Sequence, residues 1–166
     1  MRGPMISCYF HGTNLHHEKL TVNKGLISFA VPDYGVIFRA QHEGNRYECE
    51  YAAGIALIRF MQVNQNHFHG KGIKLLTDSP IVVYQVNNKI SATQSLLRFR
   101  DLFLFYKRKL GFDLTWIPTK MNRAEMGLDE IAVNRNALKF NFDIFDESTR
   151  RKDLTRPANK QAIRIT

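Results

Sequence analysis

The order in which hydrophobic periodicity changes along the chain limits its fold more than any other feature. Three short runs rich in β-branched and aromatic residues come first: Ile6-Ser-Cys-Tyr-Phe10, Leu26-Ile-Ser-Phe-Ala-Val31 and Gly35-Val-Ile-Phe-Arg-Ala40. Each reads as a strand. Pro32-Asp-Tyr-Gly35 supplies hairpin turn chemistry between the second and third, and His42-Glu-Gly-Asn45 supplies the next break. From Cys49 to Met61 the period becomes helical, with Cys49, Ala52, Ala53, Ala56, Leu57 and Phe60 recurring at three- and four-residue spacing. After a polar loop over Asn64 to Gly72, Ile73-Lys-Leu-Leu-Thr77 reads as a fourth strand, and Pro80 suits the first turn of a helix running to about Val86. Leu96, Phe99, Phe103 and Leu110 mark the longest helix, closed by Gly111. Phe112 to Ile117 alternates as a fifth strand stopped by Pro118, and a last helix is expected from Leu128 to about Leu138. Three meandering strands followed by alternating helices and strands imply an α/β fold, with a mixed sheet flanked by helices.

Composition narrows the class. The 166 residues are 44% hydrophobic and include 12 Phe, enough for one globular core and too apolar for a disordered chain. We expect a domain over residues 1–145 and a basic tail over 146–166, where Arg150-Arg-Lys152 and Pro157 fit either a mobile arm or a solvated terminus. The longest apolar runs are too short to span a membrane, and no secretory pattern opens the chain, so the expected location is cytoplasmic. Cys8 and Cys49 fit buried free thiols in a reducing compartment. A net charge of +9 is compatible with a polyanionic partner but does not require one.

Against that positive balance, two acids stand at the mouths of otherwise apolar elements. Glu50 opens the helical run Glu50-Tyr-Ala-Ala-Gly, and Asp78 ends the fourth strand in Leu75-Leu-Thr-Asp78-Ser-Pro-Ile-Val-Val. Each has a structural use without ligand: a first-turn acid favoured by the helix dipole, and an N-cap. With the element order, the Glu50-Tyr-Ala-Ala helix, the Thr77-Asp78-Ser79 strand end, the Trp116-to-Asn122 segment and Leu128-Asp129-Glu-Ile-Ala132, the chain resembles the type 1 ribonuclease H family, in its reverse-transcriptase-like branch. The resemblance covers about residues 6 to 138.

It implies a ribonuclease H-like fold, a mixed five-stranded sheet with helices on both sides. It also implies cleavage of the RNA strand of RNA/DNA hybrids with Mg²⁺ or Mn²⁺ at a two-metal site. Hard oxygen ligands suit these ions, and paired ions can activate water and stabilise the leaving oxygen. The ligands implied are Glu50, Asp78, Asp129 and, in the bridging position, His11. Glu48 competes with Glu50, but the Glu-Tyr-Ala-Ala match selects Glu50; Glu125 is a rival for the position of Asp129. Nucleic-acid contacts are implied for Gly12, Thr13, Asn45, Lys107, Arg108, Lys109, Lys120 and Asn122. The partner is then a hybrid or other double-stranded nucleic acid, with no membrane.

The chain departs from the family in two places. The family's first-strand acid, just before Gly-Ser or Gly-Thr, is here His11 in Tyr9-Phe10-His11-Gly12-Thr13. An imidazole offers one nitrogen lone pair in place of two anionic oxygens. It favours Mn²⁺ or Zn²⁺ over Mg²⁺, or it marks a domain that has lost catalysis and kept binding. Asp33 cannot replace it, because it lies in the hairpin turn at the far end of the strands. The second departure is Lys120, where many members carry a His in the loop; a lysine can meet phosphate there but is a poor proton shuttle near neutral pH. Lys107-Arg-Lys109 suits a helix C-terminus through the dipole alone, and the resemblance adds that it neighbours the path of the DNA strand. His16, His17, His67 and His69 show no metal-ligand spacing, and Gly70-Lys-Gly72 is too short for a phosphate-cradling loop.

Overall fold

The first three strand-like runs pair as an antiparallel meander: β1 (Met5–Asn14) with β2 (Lys24–Val31), and β2 with β3 (Val36–Glu43). The structure, a computed structural model, describes residues 3–14, 24–88, 90–126 and 138–144, and the backbone of 163–165. β4 (Gly72–Thr77) lies parallel to β1 on its free side, and β5 (Asp113–Trp116) lies parallel to β4. Parallel pairs need a crossover, and helices supply both of them. α1 (Arg46–Val63) and the short α2 (Gln65–Phe68) precede β4; α3 (Pro80–Asn87) and α4 (Gln94–Leu110) precede β5. The five strands expected from the sequence are all present, and a sixth, β6 (Ile163–Ile165), pairs antiparallel with β3. The sheet order is β5-β4-β1-β2-β3-β6. Part of the segment read as a basic tail therefore returns to the sheet edge. The expected helix over 128–138, Asp129, His16 and His17 lie outside the described residues, apart from Leu138, which packs against the core.

α1 is buried over most of its circumference, as a helix must be when it has a sheet on one side and another helix on the other. Its small residues make this possible. A Cβ added at Gly54 would lie 2.5 Å from the Phe103 ring on α4 and 3.0 Å from the Phe10 ring on β1. Phe60 of α1 meets Phe29 at 5.3 Å, Phe29 and Phe38 stack at 4.8 Å, and Phe142 closes on Phe38 at 5.6 Å. Asn64 holds that last segment with its side chain, donating to the Lys139 carbonyl at 2.7 Å.

The opposite face carries a smaller cluster. α5 (Arg123–Met126) sets Ala124 against Ala30 and Ile37, with Tyr9 packed beside them, so helices flank both faces. The polar loop expected over Asn64–Gly72 contains α2, because Phe68 is buried and meets Tyr34 and Phe60 edge-on. His67 and His69 therefore do not form an extended pair. Among the described residues no helix is long and apolar enough to cross a membrane.

The Gly54 contact gives a stability test. Gly54→Ala should lower stability by about 1–3 kcal/mol in denaturant titration, the usual range for overpacking. Adding Phe103→Leu should recover part of that loss; strictly additive effects would show that the contact is not shared.

Candidate functional site

Sheet register brings His11 and Asp78 together. Phe10 of β1 is the register partner of Thr77 of β4, so the next residues of the two parallel strands emerge side by side. His11 Nδ1 lies 2.9 Å from Asp78 Oδ1 and donates to that carboxylate. The Asn122 carboxamide donates to the same oxygen at 2.8 Å and to the Phe10 carbonyl at 2.9 Å, while its own oxygen accepts from the Ala124 amide at 3.0 Å. Thr119 donates its hydroxyl to Asp78 Oδ2 at 2.8 Å. Burial alone would raise the Asp78 pKa, but the bond to His11 and its charge, with Thr119 and Asn122 adding to them, outweigh burial and hold it at about 2.

Glu50 reaches the same corner from α1. The first turn of that helix lies directly against β1: a Cβ at Gly12 would be 2.3 Å from the Glu50 backbone nitrogen. Glu50 is buried, at 5% exposure. It accepts from Ser79 Oγ at 2.5 Å and from Arg46 Nε at 3.2 Å. Ser79 also caps α3, accepting from the Val82 amide at 3.3 Å, and so joins the two acids through adjacent residues of the chain. Burial raises the Glu50 pKa, the bonds from Ser79 and Arg46 and the charge of Arg46 lower it in part, and the Asp78 charge raises it further. The corner thus holds two neighbouring carboxyls with opposite shifts. Glu48, passed over in favour of Glu50 in the sequence, serves in a capping box. Glu48 receives the Asn45 amide at 3.3 Å, and Asn45 receives the Glu48 amide at 2.9 Å.

Three residues expected to meet nucleic acid support the corner from inside. Gly12 faces the α1 backbone, Asn45 caps α1, and Asn122 is fully buried with its carboxamide bonded within the protein. Each of these positions is used for close packing or hydrogen bonding within the protein. Thr13 is half-buried near the end of β1, and Lys120 is exposed in the turn next to Thr119. Arg108 and Lys109 are exposed at the end of α4, and Lys107 donates to Asn87 at 2.9 Å. Asn87 ends α3 whereas Ser79 caps its start, so this basic group stands about 12 Å along that helix from the acids, at 1.5 Å per residue. Glu125, the rival for the last acid, is exposed, and Asp129 lies outside the described residues. Sequence reasoning missed Thr119, Ser79 and Arg46 as partners of the acids. Only Arg46 had a local signal, its i,i+4 spacing to Glu50.

Among the described residues no three His, Cys, Asp or Glu side chains group as a metal site. All four carboxylate oxygens of Asp78 and Glu50 have protein donors. The described donor set does not fit a two-metal centre.

No protein-family model and no curated protein matches the sequence. Solved structures do. LC11-RNase H1, isolated from compost by a metagenomic approach, is similar at 18% identity and a TM-score of 0.60, over 76% of this chain and 92% of that one. The same protein in complex with an RNA/DNA hybrid matches at 16% identity and 0.59, over 76% and 95%. The foamy viral protease-reverse transcriptase in complex with dsDNA matches at 14% identity and 0.53, over 73% of this chain and 89% of that one. The chain therefore has the ribonuclease H fold.

The raised Glu50 pKa sets a pH test. A carboxyl raised in the folded state contributes most below the ordinary carboxylate range and loses that contribution as pH rises. Glu50→Gln should therefore gain in melting temperature relative to wild type as pH rises from about 4 to 8 in EDTA, measured by scanning calorimetry. A difference independent of pH would contradict the buried, raised carboxyl.

Proposed function

We propose that this chain binds RNA/DNA hybrid duplexes as a ribonuclease H-like module, with the corner around Asp78 turned to the RNA strand. The observation that carries this reading is the meeting of Asp78, Glu50 and His11 where β4, α1 and β1 converge. It is supported by the fold shared with LC11-RNase H1, which has been solved with such a hybrid. The net charge of +9, the exposed Lys120 beside the corner and the half-exposed Trp116, whose ring offers a stacking surface, agree with it. Recognition is placed ahead of hydrolysis because His11 stands where the family carries its first-strand acid, and because the neighbouring carboxylates are already satisfied by protein donors.

A second reading is cleavage of the RNA strand with Mg²⁺ or Mn²⁺ as cofactor. The survival of Glu50 and Asp78 side by side favours it, with Asp129 as the remaining expected acid.

Fluorescence anisotropy with a labelled hybrid in EDTA tests the first reading. Affinity should fall with salt at a slope near −0.9 per phosphate contacted, and replacing Lys107, Arg108 and Lys109 together by Gln should flatten the slope by up to about 3. No binding at low ionic strength would end the proposal. Adding Mg²⁺ or Mn²⁺ to the same samples decides between the readings: strand cleavage by wild type that vanishes in Asp78→Asn would put hydrolysis first.

A further inference from the structure

Two carboxylates that converge in a partly buried corner repel one another, and a bound cation is the usual way to hold them. Here each oxygen has a protein donor. Asp78 Oδ1 receives His11 at 2.9 Å and Asn122 at 2.8 Å, and Oδ2 receives Thr119 at 2.8 Å. Glu50 Oε1 receives Arg46 at 3.2 Å and Oε2 receives Ser79 at 2.5 Å. Asp78 Oδ1, with two donors, has both lone pairs taken, so an incoming Mg²⁺ would have to displace His11 or Asn122 to reach that oxygen. Of these donors Asn122 and Ser79 are buried, where leaving a polar group unpaired is costly.

Of the donors to Asp78, His11 is the one that the parallel register of β1 and β4 itself sets beside it. We propose that the His11 imidazole stands in for a divalent cation: the wild-type corner keeps its geometry with no divalent ion, and His11→Asp alone converts residues 11, 50 and 78 into a cation site. Register fixes the argument. Any side chain at position 11 emerges beside Asp78, because Phe10 and Thr77 are paired one residue earlier. An aspartate there removes a donor to Asp78 and sets a third carboxylate against the other two. Three converging carboxylates are a hard-oxygen donor set, and in the absence of an ion they repel. His11 is thus a positioning residue of the corner. The claim goes beyond hybrid binding and is tested without nucleic acid, so the two succeed or fail separately.

The experiment is a thermal melt in EDTA and across a Mn²⁺ series at matched ionic strength, with electron paramagnetic resonance of free Mn²⁺ on the same proteins. Wild type should melt at one temperature throughout and leave the free Mn²⁺ signal undiminished. His11→Asp should melt lower in EDTA and rise with the logarithm of Mn²⁺ concentration, as binding to the native state alone requires. It should also deplete the free signal, and adding Asp78→Asn should abolish both responses. His11→Asn, which keeps a donor without adding charge, should behave as wild type. Depletion of the free Mn²⁺ signal by wild type, lost in Asp78→Asn, would overturn the proposal. So would a folded His11→Asp that stays indifferent to Mn²⁺. If His11→Asp does not fold, the wild-type resonance measurement still decides whether the native corner takes an ion.

Discussion

One buried carboxamide holds the acidic corner together. Asn122 Nδ2 donates to the Phe10 carbonyl, 112 positions earlier, and to Asp78, 44 positions earlier, while its oxygen receives the Ala124 amide. It thereby fixes the segment after β5 to β1 and β4 at once, and Ser28 Oγ adds β2 by donating to the Ala124 carbonyl at 3.0 Å. Each of these groups is buried or nearly so, and an unpaired buried polar group costs about 1–3 kcal/mol. The placement of Thr119 and Lys120 follows, because both lie in the short turn between β5 and Asn122.

Two acids held so close would be unfavourable if their surroundings were alike. They are not. Asp78 is surrounded by donors and kept ionised, whereas Glu50, closed in by α1 and β1, is driven toward its neutral form. Separation of the two pKa values lets both carboxyls occupy one corner without full mutual repulsion. The same hydrogen bonds that hold the two acids apart in pKa also relieve this repulsion.

Much of the fold is legible from local pattern. Alternation and β-branched content located β1 to β5, and helical spacing located α1, α3 and α4, since each is long enough for its period to be read. Short elements were less visible. α2 lay inside a polar loop because only Phe68 marks its buried side, and β6 lay in a charged segment where pairing with β3 overrides composition. At the site, the motif located Asp78 and selected Glu50 over Glu48, whose own place is the capping box of α1. Asn122 and Thr119 were harder still: their roles depend on partners more than 40 residues away, and no local periodicity encodes such a bond.

The central claim is that Asp78 is bound from within by His11. Ring nitrogen NMR of ¹⁵N-histidine-labelled protein in EDTA measures this directly. The account predicts a proton on His11 Nδ1, slow to exchange with water, that loses its protection in Asp78→Ala. A His11 ring with no proton on Nδ1, or one whose exchange is unchanged in Asp78→Ala, would contradict it.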